Sequence, residues 1–189
     1  MSELADNVLI QRCKSRDHDA FRVLVERYKR QAYSFAFSYC KNVDDAFVVS
    51  QEAFIRSWNA MNRFEEDRSF RAWLFRIVKN LALNLIAKKK RLSEVSIDAA
   101  MEEGGFEITD TQPDPLEILE EKERRERVWK AIFRLKDEFR EIIILSHFND
   151  FSYREIAETL RIPEGTVMSR LYHARLALKS NLQIELEKD

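Results

Sequence analysis

The chain has 189 residues, 45% of them hydrophobic and 34% charged, with a formal net charge of −1. That balance supports real cores and excludes a disordered chain. No apolar run approaches membrane-spanning length, and the start, MSELADNVLI, has early acids and no apolar leader core, so direct membrane insertion is not expected and a cytoplasmic location is.

The near-neutral total hides an asymmetry. Residues 1–92 carry 18 Lys+Arg against 11 Asp+Glu, residues 93–127 carry 4 against 12, and residues 128–189 carry 10 of each. A basic module, an acidic connector and a neutral module suit a polyanionic partner better than a small-molecule substrate. All six glycines and prolines fall in two places: Gly104, Gly105, Pro113 and Pro115 together, and Pro163 with Gly165. The rest carries helical periodicity, which predicts an all-α chain of two small helical domains over 1–92 and 116–189, joined by a flexible acidic linker over 93–115.

In chain order, Phe21, Leu24, Val25, Tyr28, Ala32, Phe35, Ala36 and Tyr39 step by three and four and predict one core-facing stripe. Asp44 and Asp45 open a second helix, their charge favourable at its N-terminus, with Ala46, Val49, Ala53, Phe54, Trp58 and Met61 on the apolar side. Ser69 is positioned to cap a third helix with the stripe Phe70, Trp73, Leu74, Ile77, Val78, Leu81 and Leu85. Its other side holds Arg71, Arg76, Lys79, Asn80 and Asn84 and runs into Lys88, Lys89, Lys90 and Arg91. Basic residues interleaved with Phe64, Phe70, Trp73 and Phe75 can contact phosphates and offer stacking platforms, although Phe70 and Trp73 also lie on the core stripe. Cys13 and Cys40 are far apart and predict free thiols in a reducing compartment. No ligand pair has zinc-finger spacing, so neither metal nor cofactor is expected.

The connector 93–115 reads as a tether, as a charged contact inside a larger assembly, or as a strand that folds back on the basic faces. Beyond it, Ser152–Leu178 reads as a helix, a tight turn and a second helix. Ser152 and Glu155 form an S-x-x-E capping box. Ile156, Ala157 and Leu160 make an apolar face, Ile162 and Val167 flank the turn, and Pro163 with Gly165 is expected to stop one helix and open the next. Many helical proteins contain such a pair, but Thr166, Ser169, Arg170, His173 and Arg175 on the second helix suit phosphates and base edges, which predicts a DNA-binding helix-turn-helix.

With both modules in view, the chain resembles the extracytoplasmic-function (ECF) sigma factors of the sigma-70 family. Asp19-Ala-Phe, Asp45-Ala46, Gln51–Trp58 and Phe70–Leu83 resemble region 2, and Leu135, Arg140 and Ser152–Leu178 resemble region 4. The resemblance implies core RNA polymerase and promoter DNA as partners, with an anti-sigma factor as a further expectation. It places the −10 surface on Phe64, Arg71, Arg76, Lys79, Asn80, Asn84, Lys88, Lys89, Lys90 and Arg91. It places −35 reading on Glu164, Thr166, Met168, Ser169, Arg170, Tyr172, His173, Arg175 and Lys179. Polymerase binding falls to Asp44, Asp45, Gln51, Glu52 and Arg56.

Some positions depart from the family pattern. Phe47 and Val48 stand where acids are usual, and the Phe47-Val48-Val49 patch reads either as a partner contact or as core. Arg161 stands where a turn glycine is common, Met168 where a cation is, and His173 where Arg is frequent. Two other classes fit the bare pattern. A dimeric helix-turn-helix regulator lacks the region 2 motifs present here. A helical enzyme would need more than the scattered His18, His147 and His173, with no nucleophile or phosphate-loop motif.

Overall fold

The computed structural model describes residues 4–65, 67–93 and 115–187, and all regular structure among them is helical. The N-terminal group comprises α1 (Asp6–Lys14), α2 (His18–Cys40), α3 (Val43–Ala60), a 3₁₀ turn at Met61–Arg63 and α4 (Phe70–Ser93). The C-terminal group comprises α5 (Pro115–Phe133), α6 (Asp137–Ile143), a π-helical stretch at Ile144–Phe148, α7 (Tyr153–Leu160) and α8 (Glu164–Leu186). The connector expected over 93–115 lies outside the described residues except for its ends, Ser93 closing α4 and Pro115 opening α5.

Local chemistry sets the boundaries. The Asp17 carboxylate accepts from the amides of Asp19 and Ala20, both at 3.0 Å, and starts α2. The Asn42 side chain accepts from the Asp45 amide at 2.9 Å and starts α3. Ser69 Oγ accepts from the Ala72 amide at 3.2 Å, as expected of a cap. The capping box at Ser152 and Glu155 is complete in both directions.

One expectation at the turn is corrected. Arg161, not Pro163 or Gly165, ends α7: it adopts φ 57°, ψ 48°, and its amide donates to the Ala157 carbonyl. Gly165 has no positive φ and lies inside α8, where an added Cβ would meet nothing within 4 Å. A left-handed residue closes the helix by satisfying its last carbonyls, and glycine would do so with less steric cost.

The apolar stripes of α2, α3 and α4 form a core around Leu24, Phe35, Phe54, Leu74 and Val78, all buried. Val49 belongs to it, while Phe47 and Val48 are 54% and 59% exposed, which resolves the patch into one core residue and two surface residues. His18 packs against Trp58 with ring centroids 4.7 Å apart. Cys13 is buried and Cys40 half-buried, both free, and burial raises their thiols to about 11 and about 12.

The buried apolar cluster runs on into the C-terminal group. Phe37 of α2 meets Trp129 and Phe133 of α5 edge-on at 5.1 and 5.5 Å, and Phe75 of α4 packs on Phe151 at 4.8 Å. Phe75 therefore lies in a core between Phe35 and Phe151 rather than serving as a stacking platform. The buried Arg140 guanidinium ties the groups together, donating to the Ser38 carbonyl of α2 at 3.1 Å and to the Leu135 carbonyl at 3.0 Å.

Candidate nucleic-acid interface

The basic side of α4 divides in two. Its first half faces the C-terminal group. Arg71 donates to both carboxylate oxygens of Glu155, at 3.2 and 2.7 Å, and to the carbonyls of Asn149 and Asp150 at 3.2 and 3.1 Å. Its guanidinium also lies over the Phe151 ring, 4.2 Å from the centroid. Two turns on, Lys79 donates to Glu141 at 2.7 Å, and the Tyr39 hydroxyl donates to the same carboxylate oxygen. Arg76 is half-buried. Phe64, expected as a stacking platform, is buried against Phe70 and Trp73, with centroids 5.9 and 4.9 Å away.

Electrostatics follows this packing. Burial pushes the Glu155 carboxyl up, but hydrogen bonds from Arg71 and Ser152 outweigh it and hold the group below its ordinary range. Burial, reinforced by the neighbouring Glu141 charge, raises the Tyr39 phenol well above its usual value.

The second half of α4 is open. Asn80, Asn84, Lys88, Lys89, Lys90 and Arg91 are exposed, continuing the basic ridge to the end of the helix. Lys89 also reaches back to Asp45 at 2.5 Å, so Asp45 spends part of its charge within the N-terminal group. On α3, Asp44 and Gln51 are exposed with Phe47 and Val48. Helical spacing adds Ile55, 55% exposed, to that surface. The sequence signal for Ile55 was present as the step Val48, Gln51, Ile55, but an apolar residue among apolar neighbours does not announce its face. Arg56 bonds Glu52 one turn back at 2.7 Å.

In the C-terminal group, Val167, Leu171 and Ala174 are fully buried and fix the orientation of α8. The opposite side presents Glu164, Met168, Ser169, Tyr172, His173, Arg175 and Lys179, all exposed. Thr166 is half-buried at the flank. Arg170 turns inward, 3.6 Å from Glu138 and 3.9 Å from Glu141. Arg175 donates to His147 Nε2 at 3.1 Å, and burial together with that guanidinium lowers the His147 pKa. Nothing in the sequence pointed to Glu141, Asn149 or Phe151 as neighbours of the basic α4 face; those pairings exist only between groups far apart in the chain.

A long basic helix in one bundle and an exposed, buttressed second helix of a helix-turn-helix in another define a protein built for nucleic acid. Comparison with known proteins narrows this. Sigma-70 region 2 matches residues 24–92, and Sigma-70, region 4 matches residues 125–178. The chain is 37% identical over 189 residues to the ECF RNA polymerase sigma-E factor of Escherichia coli (strain K12), covering 97% of each. It is 33% identical over 177 residues to the ECF RNA polymerase sigma factor SigW of Bacillus subtilis (strain 168), covering 92% of this chain and 95% of that one. It is also similar to the solved structure of the sigma factor RpoE from Bartonella quintana in complex with the anti-sigma factor NepR, with TM-score 0.71 and 25% identity, covering 87% of this chain and 97% of that one. The chain belongs to the ECF RNA polymerase sigma factors, transcription initiation factors that direct RNA polymerase to promoters. No helix among the described residues is long and apolar enough to cross a membrane.

Proposed function

We propose that the two helical groups divide promoter recognition between them, as domains over 1–92 and 116–189. The N-terminal domain binds the polymerase clamp through the α3 surface of Asp44, Phe47, Val48, Gln51 and Ile55, and holds the melting −10 element along α4. The C-terminal domain reads the −35 element in the major groove with α8. The observation that carries this reading is the pairing of both sigma regions in order with an exposed α8 whose opposite face is locked into the core. The protein performs no covalent chemistry and works in the cytoplasm, where its polymerase is; an anti-sigma factor holding one or both domains is its expected regulator.

Arg71 and Lys79 already have carboxylate partners in Glu155 and Glu141. They can meet promoter phosphates only if α7 and α6 move off α4, so the two domains part on binding polymerase. A released cation exchanges one anionic partner for another, which limits the electrostatic cost of parting.

The test is run-off transcription with bacterial core polymerase on a pool of promoter fragments, with and without this protein. Specific transcripts that depend on the added chain are expected, and their start sites locate both elements. Tight duplex binding by the chain alone, with no transcript, would move the assignment to a conventional regulator.

A further inference from the structure

The outward side of α8 combines polar and basic groups with exposed apolar ones. Met168, Tyr172 and Leu176 are 58%, 62% and 52% exposed and follow one another at steps of four, forming an apolar ridge. The ridge cannot rotate inward, because Val167, Leu171 and Ala174 on the other side are fully buried. The arginine that could fork onto guanine from the first turns is Arg170, and it points back at Glu138 and Glu141. Ser169 is exposed beside the ridge, its hydroxyl donating to the Thr166 carbonyl at 3.2 Å. Arg175 and Lys179 are exposed along one flank.

The major groove has one apolar feature, the 5-methyl group of thymine; guanine offers acceptors there, and cytosine a donor amine. A thioether and the face of an aromatic ring pack well on a methyl; the Tyr172 hydroxyl can also donate to a guanine acceptor, a contact that removal of a thymine methyl would not weaken. We infer that Met168 and Tyr172 select thymines in the −35 element by packing against their 5-methyl groups, while Arg175 and Lys179 hold the flanking phosphates. The inference rests on α8 reading the −35 element. Residues at the start of the second helix reach base edges, and Met168 is the fifth residue of α8. At 1.5 Å per residue, Met168 and Tyr172 are about 6 Å apart along the helix, close to two base steps of about 3.4 Å. Leu176, a further turn on, passes out of reach of the bases. Charge decides the occupant: the flanking cations favour a polyanion over an apolar partner helix, which would use Leu176 as much as Met168.

The test uses holoenzyme assembled from core polymerase and the full chain, on a promoter selected from the transcription pool. Thymines of its −35 element are replaced one at a time by deoxyuridine, which removes only the methyl, and promoter binding is measured. Two replacements should each weaken wild-type binding about fourfold, the equivalent of one buried methyl group. Met168→Ala should abolish the sensitivity at one of these positions and Tyr172→Ala at the other, with Leu176→Ala abolishing neither. All three side chains are exposed, and unchanged thermal melting would confirm intact folding of the variants. Deoxyuridine without effect at every position of a selected promoter, or methyl and side-chain losses that simply multiply, would overturn the inference and leave the sigma assignment standing. Failure to select any promoter would overturn both.

Discussion

The first half of α4 and the outer face of α8 are both candidate surfaces for nucleic acid, yet they are treated in opposite ways. Arg71 and Lys79 are sealed against carboxylates of α7 and α6, with Phe75 buried between them. Met168, Ser169, Tyr172 and His173 are open to water. The difference follows from what each group requires. A cation pressed against a neighbouring domain must be paired or hydrogen-bonded, because desolvation without a partner is expensive. Hydroxyls, a thioether and ring edges on an exposed helix need nothing beyond solvent. The closed arrangement thus holds Arg71 and Lys79 against internal anions, and it leaves the outer face of α8 open.

The largest effect is expected at Phe75. If α4 is core on both sides, Phe75→Ala should cost about 3–5 kcal/mol, because the ring is wholly buried between Phe35 and Phe151. Urea denaturation of the full chain measures it. A loss well below that range would mean that the Phe151 contact contributes little in solution and that the domains are already apart.

A second approach removes the internal anions. The double variant Glu141→Gln/Glu155→Gln removes the ion pairs of Lys79 and Arg71 that hold α6 and α7 on α4, so the two helices lift off more readily and expose both cations. Affinity of the free protein for single-stranded DNA should rise about tenfold at low salt. Its salt dependence should steepen by about 1.4 in log K per log salt, the signature of two further phosphate contacts. Equal affinity and an unchanged slope in a fluorescence anisotropy titration would show that these cations are not held in reserve.

Much of this was legible in the sequence. Periodicity located the core stripes of α2, α3 and α4, cap chemistry placed the starts at Ser69 and Ser152, and the acids Asp44 and Asp45 marked the start of α3, because these signals are local. The Arg161 turn was visible as a departure from an expected glycine. What could not be read was the second role of residues that already had a first one. Glu155 satisfies a capping box and also receives Arg71 from a helix 84 residues away. Phe75 fell off the principal stripe of α4, so it read as surface; a second domain covers it. Phe64 read as a stacking platform among basic residues, whereas Phe70 and Trp73 enclose it. Long-range partners leave no period in the chain.

A smaller effect is expected at the turn between α7 and α8. Arg161 holds a left-handed conformation that costs a side-chain-bearing residue more than glycine. Arg161→Gly should raise stability by about 0.5–1 kcal/mol in urea denaturation. It should leave the exposed α8 face and −35 binding unchanged, since the turn backbone already has the geometry glycine prefers. Loss of stability would mean that the Arg161 side chain contributes more than the strain removes.

The finest test of the contrast is pH. Glu155 is held below its ordinary carboxyl range by Arg71 and Ser152 against the opposing effect of burial. A lowered folded-state pKa means that the unfolded chain binds more protons in the acid range, so this carboxylate's contribution is fully present above the unfolded value near 4.5. It declines as pH falls through the lower folded value. Acidification from pH 5 to 3 should therefore shift the urea midpoint downward, and Glu155→Gln should make that shift shallower, because it removes the group that titrates. Met168→Ala provides the counterpart on the open face: it removes no titratable group and no internal partner, so its stability profile over the same range should run parallel to the wild type. If Glu155→Gln also runs parallel, the Arg71 pair does not bind the domains together, and the internal anions would have to be sought at Glu141 alone.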